Sequence, residues 1–165
     1  MSDDVRLRPY DPSTDRNALW GLKHAFETTL GAGTGGELKA DLYEGKLTEE
    51  YRSRWLEWVD RCVADDERCV TLAVEDEPIG YVFVLPERLS FIWDAAVINE
   101  LYVAPDYRGT GVADELVDAA VDLAREQALP LDRLLLDVDP DNGRAYRFYE
   151  RCGFEPWGEI VAVEL

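Results

Sequence analysis

Apolar and polar positions alternate where the chain begins. In DVRLRPY, residues 4–10, Val5 and Leu7 fall on one side, which predicts a strand. The period then lengthens. Residues 13–30 follow capping residues and carry Leu19, Leu22, Ala25 and Phe26 at helical spacing, predicting a helix that ends at GAGTGG, residues 31–36. A second helical region, broken near Gly45, continues through residues 48–65, where Tyr51, Trp55, Trp58, Val59 and Cys62 form an apolar stripe. From Cys69 the period is two. Residues 69–76, 78–87 and 95–105 predict three successive strands, the first two joined by a short turn at Asp76 to Pro78. Residues 111–128 then predict an amphipathic helix with Leu116, Ala120 and Leu123 or Ala124 inward. A short strand at 133–139, a short helix at 142–152 and a final strand at 156–165 complete the pattern. The order β, α, α, β, β, β, α, β, α, β predicts one mixed α/β domain over residues 1–165, without repeats or linkers.

Composition narrows the class. With 47% hydrophobic residues and five Trp, eight Tyr and five Phe, the chain has the apolar content of a folded domain despite a formal charge of -18. Nucleic acid is disfavoured as a partner, because phosphate backbones are met by clustered Lys and Arg. Only three lysines stand beside fourteen arginines, and acid is spread along the whole length. Such a self-repelling surface fits a salt-rich cytosol, so the net charge points to a halophilic habitat more than to a substrate. Cys62, Cys69 and Cys152 form no CxxC pair, which together with the single histidine argues against a structural zinc and for reduced thiols. No apolar run is long enough for a membrane span and no secretory signal is read, so the expectation is a cytoplasmic protein with neither membrane nor metal.

Two glycine-rich turns compete for a phosphate. GAGTGG matches G-x-G-x-x-G at Gly31, Gly33 and Gly36, but that fingerprint requires a strand before it, and here it follows a helix. It is read as a helix–helix loop, either a plain linker or an acceptor-site lid. RGTGVA, residues 108–113, has the required context, since it follows the strand INELYVAP and opens a helix. Gly109 and Gly111 let the backbone turn sharply, and the helix start adds unpaired N–H donors and the positive end of its dipole. Small Ala113 permits close approach, and Arg108 adds a full positive charge. Such a turn suits a pyrophosphate, and an acidic protein needs no basic surface to hold one there. An ordinary strand-to-helix turn is the competing reading of this stretch taken alone.

The run Arg108-x-x-Gly111-x-Ala113 resembles the [Q/R]-x-x-G-x-[G/A] signature of the GNAT superfamily of acyl-CoA-dependent N-acyltransferases. ELYVAPDYRGTG and NGRAYRFYERCGF look like the same family's two neighbouring motifs, in the usual order and separation. The resemblance implies a mostly antiparallel central sheet with one splayed parallel pair and helices on both faces. It implies acetyl-CoA as co-substrate, lying between the strands that contain 101–103 and 134–138. Its pantetheine arm would pair with the backbone of Leu101, Tyr102 and Val103, and its pyrophosphate would rest on the amides of Arg108, Gly109, Thr110, Gly111, Val112 and Ala113. Asn142 matches the position whose side chain touches the CoA arm, and it also reads as a helix cap.

The same resemblance assigns chemistry. Acyl transfer to an amine needs a neutral nucleophile, a polarised carbonyl and a proton for the departing thiolate. Tyr149 matches the family tyrosine that supplies that proton, although an aromatic sharing a helical face with Ala145 and Cys152 also reads as core. The oxyanion donor would be a backbone amide near Leu101 or Val103. Glu100 is the nearest carboxylate for a general base, but strand alternation puts it on the face opposite Leu101 and Val103 unless a bulge re-aims it. A water or another residue is the alternative base. His24, alone in its helix, reads as a packed or surface residue. Trp20, Trp55, Trp58 and Trp93 come from segments that border the acceptor groove in this family. The function implied is an N-acetyltransferase acting on a primary amine of a small molecule, a protein N-terminus or a lysine. A non-catalytic acyl-CoA-binding module of the same fold is the rival. A homodimer is also raised, since relatives often pair through their terminal strands.

Overall fold

A computed structural model describes residues 4–33 and 36–165, and the side chains of 30–37 are left out of account. Strand β1 (Arg6–Pro9) leads into α1 (Arg16–Gly33), α2 (Gly36–Gly45) and α3 (Glu49–Asp65). Strands β2 (Val70–Val74), β3 (Pro78–Val84) and β4 (Ala96–Val103) follow, then α4 (Val112–Glu126), β5 (Leu134–Leu136) and α5 (Gly143–Arg151). The sheet order is β1-β2-β3-β4-β5, antiparallel except for the parallel pair β4 and β5.

Alternation along the strands gives the sheet two apolar faces, and the helices divide between them. Leu72, Tyr81, Phe83 and Tyr102 pack on Leu19 of α1 and on Trp55, Leu56 and Val59 of α3. On the other face Ala73, Val82, Val84 and Val103 pack on Val112, Leu116, Ala120 and Leu123 of α4, with Val5 and Leu7 at the edge. Break and caps follow local chemistry: α3 starts where the Thr48 hydroxyl accepts from the Tyr51 amide at 3.1 Å.

Two expectations need correction. The stretch GAGTGG is not a loop throughout, because α1 runs to Gly33 and α2 begins at Gly36; Thr34 and Gly35 lie outside the described residues. Residues 156–165 do not form a strand. Strand propensity measures fit to a pleated, half-buried surface, and these residues lie exposed and irregular with no strand beside them.

One irregularity aims the site. The partner of Phe83 is Glu100 but that of Val84 is Ile98, so Asn99 is an extra residue on β4. The bulge changes which residues share a face: Ile98 packs with Leu101 and Val103 towards α4, while Glu100 and Tyr102 face α1.

Candidate active site

Strands β4 and β5 pair only at Ala96↔Leu134, Val97↔Leu135 and Ile98↔Leu136, and beyond that point they part. Their divergence leaves residues 99–103 of β4 with the β5-facing edge of the backbone open, the arrangement an added extended chain can pair with. A cavity of about 550 Å³ fills the wedge, bounded by Ile98–Val103, by Leu136–Asp139, by the turn before α4 and by the inner side of α5.

The turn is built as its glycines require. Gly109 has φ 76° and Gly111, which caps α4, has φ 91°, both in the left-handed region that a side chain resists. The Thr110 hydroxyl donates to the Tyr107 carbonyl and ties the turn back on itself. The first amides of α4 have no intrahelical acceptors, and Gly111, Ala113 and Asp114 at this helix start border the cavity. Arg108 donates from Nε to the Val103 carbonyl at 3.1 Å and lies over the Tyr102 ring, 5.8 Å from its centroid. Burial and then the nearby Arg144 lower its pKa, with Tyr102 opposing them.

Arg144, Arg147 and Arg151 also border the cavity. Their i, i+3, i+7 spacing on α5 places three arginines on one side of the helix, a signal present in NGRAYRFYER that motif matching alone passes over. With Arg108 they bring four guanidinium groups to the cavity lining, beside Asp114, Asp137 and Asp139. Ile98, Leu101, Leu136 and Phe148 add apolar lining to the same cavity.

Of the residues singled out from sequence, Glu100, Leu101, Tyr102, Val103, Arg108, Gly109, Gly111, Ala113, Asn142 and Tyr149 all border this cavity. Thr110 and Val112 do not border it: the first turns its hydroxyl onto Tyr107, and the second is wholly buried between α4 and the sheet. Asn142 caps α5, its side-chain oxygen accepting from the Ala145 amide at 3.3 Å while it faces the wedge. Tyr149 packs edge-on against Phe148 and Phe154, with centroids 5.3 and 5.6 Å apart. Burial, with a smaller push from Cys152, raises its phenol to about 12, so at neutral pH the hydroxyl keeps its proton.

Glu100 is neither exposed nor free. Its carboxylate accepts from Lys23 Nζ at 2.5 Å and from the Tyr81 hydroxyl at 2.9 Å. Lys23, 2% exposed, donates also to Glu27 on the next turn of α1, and its ammonium lies 5.0 Å from the Trp55 ring centroid and 5.6 Å from that of Phe26. Burial pushes the Glu100 carboxyl up, and Lys23 and Tyr81 offset this only in part. For Lys23 burial alone would lower the pKa, but Glu100 and Glu27 outweigh it and the ammonium stays charged. Sequence reading missed Lys23. Its signal was a lysine one turn from Leu19 on the apolar side of α1, with an acid four residues on.

Other candidates fall away. His24 packs edge-on against Trp20 with centroids 6.1 Å apart, and neither borders the wedge. Trp55 belongs to the core, Trp58 packs on Phe83, and Trp93 is exposed, and none of them lines the cavity. Among the described residues no group of three or more His, Cys, Asp or Glu side chains could hold a metal ion. No helix among them is long and apolar enough to cross a membrane.

Comparison with known proteins places this geometry. Residues 36–154 match the model of the Acetyltransferase (GNAT) family. An uncharacterized N-acetyltransferase of Methanocaldococcus jannaschii is 29% identical over 124 residues, covering 72% of this chain and 54% of the relative, so the chain spans about half of that protein's length. A peptidyl-lysine N-acetyltransferase of Salmonella typhimurium is 28% identical over 119 residues, covering 72% of this chain and 71% of the relative. Among solved structures, the PaiA N-acetyltransferase of Thermoplasma acidophilum in complex with coenzyme A superposes with a TM-score of 0.72 at 20% identity, over 94% of this chain and 91% of that one.

Proposed function

The chain belongs to the Acetyltransferase (GNAT) family, and from that premise we propose that it moves an acetyl group from acetyl-CoA to a primary amine, both bound at once. The observation that carries this reading is the parting of β4 and β5 after Ile98 and Leu136, immediately beside the Gly109–Gly111 turn and with Tyr149 in the same cavity.

Acetyl-CoA supplies an activated thioester when bound, and the residues present fit it. The open edge of residues 99–103 would hold the pantetheine arm, the amides of Gly109, Gly111 and Ala113 and the arginines 108, 144, 147 and 151 would hold the phosphates, and Asn142 would face the arm from its cap. Amides of β4 next to the bulge would donate to the thioester carbonyl, where charge develops. The Tyr149 phenol, protonated at neutral pH, would pass its proton to the departing sulfur.

Glu100 stands on the acceptor side of β4, and its burial supports the role of proton acceptor for the incoming amine through an intervening water. Lys23 and Tyr81 hold that carboxylate in place while limiting its basicity. The acceptor is a primary amine; the lysine in the Salmonella relative's name is one such group.

Thiol release from acetyl-CoA over a panel of amines, at high salt, tests the proposal. Tyr149→Phe is expected to cut turnover about 10²-fold while leaving CoA affinity within a few-fold. Glu100→Gln is expected to lose activity and the acidic limb of the pH profile. Unchanged turnover in Tyr149→Phe removes its role. Stabilisation by CoA with no turnover on any amine means that the domain binds acyl-CoA without catalysis.

A further inference from the structure

Beyond Glu100, the wedge continues into a corner between α1 and α2 that the acyl-transfer scheme does not use. Glu27 is 3% exposed there. Its Oε1 receives the Lys23 ammonium, whereas Oε2, also buried, accepts no hydrogen bond. The turn after α2 sends Lys46 into this corner: its Nζ comes to 3.0 Å from Oε2, outside hydrogen-bonding angles, with its side chain 36% exposed. The same ammonium lies 4.8 Å from the Tyr43 ring centroid and 5.4 Å from that of Tyr51.

A buried carboxylate oxygen whose one neighbouring cation is an ammonium lying over two tyrosine rings is a receptor for an alkylammonium. Lys46 fills it with the right chemical group in a poor alignment. We propose that this corner is an acceptor subsite for the ammonium end of a linear di- or polyamine, and that Lys46 is a resident stand-in which the ligand displaces. A carboxylate and aromatic faces favour the charged form of whatever they hold, so the group bound here is not the nucleophile. It is an anchor, and the reacting amine is the neutral one at the other end, directed along the wedge towards Glu100. The catalytic role of the subsite rests on the amine acetyltransferase reading; its occupancy by a diamine does not.

Binding is therefore measured without acetyl-CoA, by calorimetric titration of the whole chain with cadaverine and, separately, with n-pentylamine. Cadaverine is expected to bind about ten-fold or more tightly, since only it can place one ammonium on Glu27 and still present a second. Glu27→Gln should erase the difference. Glu57→Gln, which removes the same charge from an exposed position on α3, should leave it. Lys46→Met should tighten cadaverine several-fold by removing the competitor. Tyr43→Leu, at the rim, should weaken the preference even if Glu27→Gln fails to fold. Equal affinity for the two amines overturns the proposal. So does an equal loss in Glu57→Gln, which would assign the preference to net charge, or weaker binding in Lys46→Met, which would make Lys46 part of the receptor. A clear diamine preference with no acetyl transfer to any amine would leave the subsite standing and remove the activity.

Discussion

The chain up to Leu123 and the chain after it are built differently. The first part makes a sheet with both faces covered, and Leu19, Val59, Leu72, Tyr81 and Leu116 are fully enclosed. The second part, comprising the loop after α4, β5, α5 and the tail, contains no buried residue. Its apolar side chains are present, but Leu136, Phe148 and Tyr149 face the wedge while Trp157, Ile160 and Val163 face solvent. A segment that buries so little of itself depends on what it closes around. The first part is a scaffold that carries the Lys23–Glu27–Glu100 network, and under the proposed function the second part would complete its packing around a ligand lying against β4.

The sharpest way to break this contrast is at the centre of the scaffold. Lys23→Met leaves the buried Glu100 carboxylate without its cation and Glu27 with only the part-exposed Lys46, and is expected to lower stability by about 3–5 kcal/mol in denaturant unfolding. A loss under about 1 kcal/mol would mean that water already reaches the network. Next in size is a matched pair of truncations. Leu116→Ala, under the sheet, should cost about 2–5 kcal/mol. Phe148→Ala, on α5, should stay within about 1 kcal/mol without ligand, yet sharply reduce the stabilisation that CoA confers. Equal losses in the two variants would show that α5 shares the main core.

This asymmetry also explains what could be read from the sequence. The scaffold was legible because burial imposes a period: Leu72, Val74, Tyr81 and Phe83 alternate, and Leu116, Ala120 and Leu123 recur at helical spacing. The sharp turn before α4 was legible for a different reason, since only glycine is at ease at the φ values of residues 109 and 111. The tail misled because an apolar alternation states a preference for a partner strand without supplying one. Glu100 was half legible. Its position on β4 was clear, but the extra residue at Asn99 that settles the faces depends on pairing with β3, which no local pattern encodes. Lys23 broke the apolar stripe of α1 and was passed over, because a lysine there usually extends to solvent. Three-dimensional placement against Glu100, 77 residues away, makes it part of the site.

The account's central claim is that the wedge between β4 and β5 is the acyl-CoA site and that the C-terminal part closes on it. Amide hydrogen exchange with and without CoA tests this most directly. The expected result is slowed exchange confined to residues 99–113 and 134–151, with β1, β2 and α3 unchanged. Protection spread evenly over the chain, or none in those two segments, would contradict it.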